Sequence, residues 1–583
     1  MANSFRVDYD VPIELRDGVK LRADVYRPDD DQKHPAIMFR SYNKMYGRAT
    51  ALLYDLVYAG YAYVNSDLRG RGTSEGEWDP SKNFIVEGPD GYDTIEWIAS
   101  QSWCDGNVGM IGLSHATCFQ YMAAIEQPPH LRAIAPWTGD FNEMFVPPYA
   151  GGAISLITTL LWLPRESADV VNRLERQGHD VTEMRRVLAW AHSNPDAVAN
   201  YLPFKDAPLA KIGRIGELLN WRLHPVSQRE LEKQRRYEQV MVPCFHECGW
   251  YDGVAWSEFE NFNNLRKRGG SPQAREGQHI IAGPWQHAMQ FQATLGDIHF
   301  GFSADSIGSG IHQLQIAFFD KYLRGKDIQL PTVRYFVMGR NRWQTANEWP
   351  LPQTQWQRFF LHSKGSANTA AGDGGLSRDE PGSDPPDVFV YNPHRPVPTA
   401  GGPLIGVLEG PGIIAGPVEQ SHVEKRLDVL CYTTPELAED VEITGPLQLH
   451  LFAATSVRDT DFTAKLVHVY PDGRAYNLAE GIIRASGRKF GDKRELVNPG
   501  EVYEYVITLG HTSQLFRKGH RIRVDISSSN FPQFDRNMNT GNPIGEDGRG
   551  IPAMQTIYHQ SGCASYIDLP VIKGGETNTM AKR

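Results

Sequence analysis

Cysteine is scarce in this sequence, with six in 583 residues, at Cys104, Cys118, Cys244, Cys248, Cys431 and Cys563. Such sparse, irregular spacing excludes a disulfide scaffold. Cys244-x3-Cys248 has no second Cys or His pair at zinc spacing, so buried thiols are expected. A surplus of positive charge is missing too. Lys and Arg total 59 against 69 Asp and Glu, a formal net charge of −10, which offers no overall field for a nucleic-acid backbone or an anionic lipid. Long apolar runs are also lacking. The longest, Ala153 to Leu163, is interrupted by Ser155, Thr158 and Thr159 and falls short of the roughly 20 residues that span a bilayer. Met1 to Asp8 carry no apolar signal region, so the cytoplasm is the expected compartment. What remains is the composition of a globular protein, 41% hydrophobic and 22% charged, too long for one core and sized for three or four domains of about 150 residues.

The first segment alternates with period two. Val7, Tyr9, Val11, Ile13 and Leu15 share a parity, Asp17-Gly18 supplies the turn, and Val19, Leu21, Ala23 and Val25 continue it, which predicts an antiparallel hairpin. Strands at Ala36–Phe39, Tyr61–Val64, Val108–Ile111 and Arg132–Ala135 then alternate with helices near Ala49–Tyr58, Asp90–Ala99 and His115–Ile125. That rhythm implies a mostly parallel sheet covered on both faces. From about Phe145 to Val240 no strand pattern is visible, and Val181, Met184, Leu188 and Ala191 recur at helical spacing. Ser227–Gln239 has the mixed charge of a solvated helix, so the whole segment reads as a helical insertion. The rhythm resumes with a strand at Val240–Phe245, a helix at Val254–Arg268, a strand at His279–Ala282 and a helix at Ser306–Leu323. Beyond about Trp356 helices are not expected. Gly365–Pro386 reads as a loop, and Leu447/Leu449/Leu451 and Ile522/Val524/Ile526 alternate as in an all-β sandwich. The expected division is an α/β core over 1–144 and 241–355, a helical cap at 145–240, and a β-sandwich domain at 356–583.

The chemistry concentrates at Gly112-Leu113-Ser114-His115-Ala116, where an apolar strand runs straight into a helix. That is the setting of a nucleophile elbow: the sharp turn exposes a serine hydroxyl and requires small neighbours two positions away. The His115 backbone N–H, at the start of the helix, is placed to donate to an oxyanion. The competing reading is a strand-to-helix turn with Ser114 as N-cap.

A serine hydroxyl needs a base, and the base an orienting carboxylate. In hydrolases with such a sheet these follow in the order Ser, acid, His, each after a later strand. Asp252 follows the strand Val240–Phe245, and His287 follows the strand ending at Ala282. His279 is the weaker rival base, and Asp140 and Glu247 are rival acids. Asp67-Leu68-Arg69-Gly70-Arg71-Gly72-Thr73-Ser74 reads as a glycine-rich loop with a local ion pair rather than an anion site. Trp162, Trp190 and Trp221 of the insertion include candidates for a substrate pocket, against an ordinary core role.

Four motifs in order, the elbow, Asp67–Ser74, Gly249-Trp250-Tyr251-Asp252-Gly253 and Gly283-Pro284-Trp285-Gln286-His287, resemble those of the CocE/NonD hydrolases. This family includes bacterial cocaine esterase, α-amino acid ester hydrolases and X-Pro dipeptidyl-peptidases. Gly445-Pro446, Tyr470–Arg474 and Ser527–Pro532 extend the resemblance nearly to the C-terminus. It implies an α/β-hydrolase core, a helical cap and a C-terminal jelly roll. It also implies Ser114 as nucleophile, His287 as base, Asp252 as acid, and Tyr42, in Arg40-Ser41-Tyr42, as an oxyanion donor beside the His115 amide. Relatives usually carry tyrosine and glycine where this chain has His115 and Ala116, and often proline in place of Ser41; the backbone donor is unaffected by either change.

The expected activity is therefore cleavage of a small-molecule ester or amide through a serine-linked acyl-enzyme, with no cofactor or metal and no nucleic-acid or membrane partner. A homodimer stays open. An X-Pro dipeptidyl-peptidase, or an α-amino acid ester hydrolase or β-lactam acylase, is the alternative; a peptidase would need a carboxylate for the substrate amine, for which Glu166, Asp169 and Glu183 are the candidates. Outside enzymes, the alternative is a ligand-binding protein with a vestigial triad.

Overall fold

The N-terminal hairpin pairs Phe5–Glu14 with Lys20–Pro28 and forms one edge of a ten-stranded sheet. The computed structural model describes residues 4–48, 51–79, 83–141, 149–213, 216–217, 219, 223, 235–287, 292–405, 413–489 and 494–572. Next to the hairpin lie Ala62–Asp67, His34–Ser41, Cys104–Leu113, Leu131–Trp137, Cys244–Tyr251, Gln278–Gln286 and Val333–Val337, all parallel, with Arg342–Ala346 antiparallel at the far edge. Buried on both faces, these strands read as apolar runs, and helices Ala51–Tyr58, Asn83–Ser100, His115–Ile125, Ala255–Arg268 and Ile311–Arg324 cover them. The helix expected over Ser306–Leu323 is broken at Gly310, whose φ of 67° is left-handed.

Among the strands that differ in extent from the sequence pattern are the two that lead into the site. The one expected at Val240–Phe245 runs from Cys244 to Tyr251, and the one expected at His279–Ala282 extends to Gln286. Polar residues inside these strands hide their length. His246 Nε2 faces Gln278 Oε1 at 2.8 Å, its Nδ1 faces Glu258 at 3.0 Å, and Gln315 donates to Glu247 at 2.9 Å, so side chains that hydropathy would assign to a loop are buried with partners.

The insertion contains the long helix Leu156–Arg176 and the helix Thr182–Ser193. Contrary to the strand-free expectation, it opens with a minimal hairpin, Tyr149–Ala150 against Ala153–Ile154, turned by Gly151 and Gly152 at φ 53° and 90°. Most of the helix expected at Ser227–Gln239 lies outside the described residues; its end, Tyr237–Gln239, is a 3-10 turn. Beyond Thr354 the chain forms a second sheet system of twelve strands, with Leu447, Leu449, Leu451, Ile522, Val524 and Ile526 in its core. The helical turn Ser421–Glu424 and the 3-10 turn Ala485–Gly487 interrupt the all-β expectation, and Gly375–Ser377 adds a short strand inside the expected loop. The cysteines are free, five of them buried. Among the described residues, no helix is long and apolar enough to cross a membrane.

Candidate active site

Ser114 terminates the strand Cys104–Leu113 with φ 56° and ψ −125°, a left-handed backbone that a non-glycine residue adopts only under constraint. The constraint is packing. A Cβ on Gly112 would lie 2.6 Å from the Ala116 Cβ, and one on Gly139 would lie 2.7 Å from the Ser114 carbonyl oxygen. Ser114 N–H donates to Trp137 O at 2.8 Å, while the Gly112 carbonyl accepts from Thr117 Oγ1 at 3.1 Å and Gln120 Nε2 at 3.0 Å. The following helix, His115–Ile125, has ten of its eleven residues buried, so the elbow rests on a rigid element.

The residues expected as acid and base come from the ends of two neighbouring strands, where sites on open α/β sheets form. Asp252 follows Tyr251 directly and is 3% exposed. His287 follows Gln286. Its Nδ1 lies 3.1 Å from both Asp252 carboxylate oxygens, and Oδ1 also accepts from Val254 N–H at 3.0 Å. With Nδ1–H donating to the carboxylate, the free lone pair is on Nε2, which lies 2.9 Å from Ser114 Oγ. The arrangement can take the serine proton as the hydroxyl attacks and return it to a leaving group.

The rivals sit elsewhere. Asp140 is fully buried against Arg235 at 2.9 Å, Glu247 holds Gln315 within the sheet, and His279 bonds the Pro331 carbonyl and the Tyr322 hydroxyl. Tyr42 is fully buried just beyond the strand His34–Ser41, with its ring stacked on His115 at 4.3 Å and edge-on to Phe119 at 5.7 Å and Trp162 at 5.9 Å. Trp162 thus packs against the expected oxyanion tyrosine. Trp190 packs with the apolar cluster of the insertion, and Trp221 lies outside the described residues. Burial, with Arg165 and Arg71 nearby, pushes the His115 imidazole well below its ordinary range, so this ring is neutral. A cavity of about 300 Å3 borders Asp252, with walls from Ile157 of the insertion, Trp250 and Gly253 of the core, and Leu404, Ile482 and Phe534 of the C-terminal region.

The loop Asp67–Ser74 departs from expectation. Its arginines do not pair locally: Arg69 binds Asp90 and Asp17, each at 2.7 Å, and Arg71 binds Glu166 of the insertion at 2.9 Å. Glu166 is 3% exposed and also accepts the Tyr46 hydroxyl at 2.6 Å. Asp169 accepts from Gly72 N–H at 3.0 Å and lies 3.3 Å from Arg71 Nε. Glu183 is a surface residue paired with Arg186 at 2.6 Å. The contacts of Arg71 with Glu166 and of Gly72 with Asp169 could not be read from sequence, because the partners lie about 100 positions apart.

The family model described as X-Pro dipeptidyl-peptidase (S15 family) matches residues 17–289, and that of the X-Pro dipeptidyl-peptidase C-terminal non-catalytic domain matches residues 326–568. Cocaine esterase of Rhodococcus sp. (strain MB1 Bresler) is 35% identical over 98% of this chain and 99% of its own. An α-amino acid ester hydrolase structure superimposes with a TM-score of 0.80 at 23% identity, covering 98% and 97% of the two chains. A CocE/NonD family hydrolase from Staphylococcus aureus gives a TM-score of 0.67 at 20% identity, covering 97% and 94%. The last two likenesses carry the fold; the full-length identity to cocaine esterase carries the family, and the chain belongs to the CocE/NonD-type serine hydrolases.

Proposed function

We propose that this enzyme hydrolyses small-molecule esters by acyl transfer through Ser114, with His287 as general base and acid and Asp252 as the group that orients and stabilises the imidazole. The observation that carries the reading is the continuous chain of hydrogen-bond distances, 2.9 Å from Ser114 Oγ to His287 Nε2 and 3.1 Å from Nδ1 to Asp252. As the substrate carbonyl becomes tetrahedral, the Tyr42 hydroxyl and the His115 amide N–H take its negative charge. Water activated by His287 then releases the acid. In domain terms, the core at 1–144 and 241–355 carries these groups, while the cap at 145–240 and the jelly roll at 356–583 contribute walls to the cavity beside Asp252.

An ester without a free α-amine suits the site better than a dipeptide. A substrate ammonium needs an available carboxylate, and Glu166, Asp169 and Glu183 are all engaged by protein cations. Cocaine esterase, aligned over 98% of this chain and 99% of its own, is named for an ester substrate. A panel of p-nitrophenyl esters and X-Pro-type aminoacyl amides, assayed with wild type and Ser114→Ala, tests this. We expect turnover of the esters only, lost in Ser114→Ala; faster amide than ester turnover would overturn the preference.

A further inference from the structure

Arg71 lies just after the strand Ala62–Asp67 and is 1% exposed. Its guanidinium carbon sits 5.1 Å from the Tyr42 ring centroid and 4.7 Å from that of Trp78, and its Nε donates to the Tyr42 backbone carbonyl at 3.4 Å. It therefore touches both the ring and the main chain of the tyrosine. The carboxylates that hold it, Glu166 and Asp169, stand one turn apart on the insertion helix Leu156–Arg176. The same helix grips the loop around Arg71 through backbone atoms. Arg173 donates to the Ser74 and Gly76 carbonyls, each at 2.7 Å, and Arg176 donates to the Gly72 carbonyl at 3.1 Å.

Burying a guanidinium this completely is costly unless carboxylates pair with it, and the pairing here places a rigid, planar group against the rings of Tyr42 and Trp78 and the Tyr42 main chain. A lysine could neutralise Glu166 equally well but has no plane to stack on the ring. We infer that Arg71 is a positioning residue for Tyr42, clamped by Glu166 and Asp169 so that docking of the insertion helix fixes the phenol in line with the developing oxyanion. The inference rests on the proposed role of Tyr42. It gives the insertion a part in building the oxyanion hole from outside, through a residue that never touches substrate. A donor that must be held in place acts on the transition state more than on the bound substrate, so losing the clamp lowers kcat and leaves KM nearly unchanged.

A double-mutant cycle between Arg71→Met and Tyr42→Phe, read as kcat for p-nitrophenyl acetate, tests this. Arg71→Lys, which keeps a charge for Glu166 but loses the planar stack, enters the same cycle if Arg71→Met does not fold. We expect the Arg71 change to lower kcat about tenfold when Tyr42 is present and less than twofold when residue 42 lacks its hydroxyl. A ratio between these two effects above threefold supports the clamp. A ratio below threefold, or a change confined to KM, overturns it and leaves the role of Tyr42 standing. If Tyr42→Phe by itself keeps kcat within threefold of wild type, the oxyanion role fails and the clamp falls with it.

Discussion

His287 Nε2 lies 2.9 Å from the Ser114 hydroxyl oxygen, although 173 residues, including the whole insertion, separate the two in sequence. The parallel sheet brings them together: Cys104–Leu113 and Gln278–Gln286 end at the same rim, with Leu131–Trp137 and Cys244–Tyr251 between them. The proximity depends on strand order, so changes that spare the sheet but alter one functional group isolate that group's contribution.

Asp252→Asn keeps the shape of the acid but removes its charge and its hold on the tautomer of His287. We expect kcat for an ester substrate to fall about 10³–10⁴-fold with a circular dichroism spectrum like that of wild type. A loss below tenfold would assign the orienting role to another carboxylate.

Tyr42→Phe removes one hydroxyl from a buried aromatic cluster and leaves the stack on His115 intact. A drop of about 10²–10³ in kcat with little change in KM is expected, the usual effect of losing one oxyanion donor. Steady-state kinetics on a p-nitrophenyl ester measures it directly.

Gly112→Ala adds a methyl 2.6 Å from the Ala116 Cβ, and neither side of that contact is a flexible side-chain end. We expect destabilisation of about 1–3 kcal/mol, seen as a lower Tm, together with reduced turnover because the elbow must open to relieve the overlap.

His511 is stacked on Phe259 at 4.4 Å, accepts the Trp349 indole N–H at 3.0 Å, and is pushed down by burial to about 3. A histidine held below its unfolded value of about 6.5 stabilises fully above that value and loses the contribution as pH falls. His511→Gln should therefore be less stable than wild type at pH 7.5. The gap should narrow on going to pH 4.5, because only wild type binds an extra proton at this position on unfolding. Thermal melts of both proteins across that range provide the comparison; a constant gap would contradict it.

The serine elbow, the two later loops and the parallel core were legible because each depends on local pattern: small residues around Ser114, apolar strands, and turn residues at strand ends. Asp252 was legible only in order. The strand before it continues through Glu247 and Trp250, and Glu247 is satisfied by Gln315, on a helix 68 residues later. Arg71 was misread for the same reason. Its neighbour Asp67 is close in sequence, whereas its partners Glu166 and Asp169 come from a helix about 100 residues later. The hairpin of the insertion was missed because two-residue strands carry no period. Tyr42 carried no signal of its own; only the family resemblance marked it, and its packing against His115 and Trp162 became visible in three dimensions.

The most direct test is covalent labelling of the native enzyme with a fluorophosphonate probe, followed by peptide mapping. We expect stoichiometric modification at Ser114 that disappears in Ser114→Ala and slows severely in His287→Ala. Labelling that persists in Ser114→Ala, or an intact, folded protein that takes up no probe, would contradict the assignment of Ser114 as an activated nucleophile.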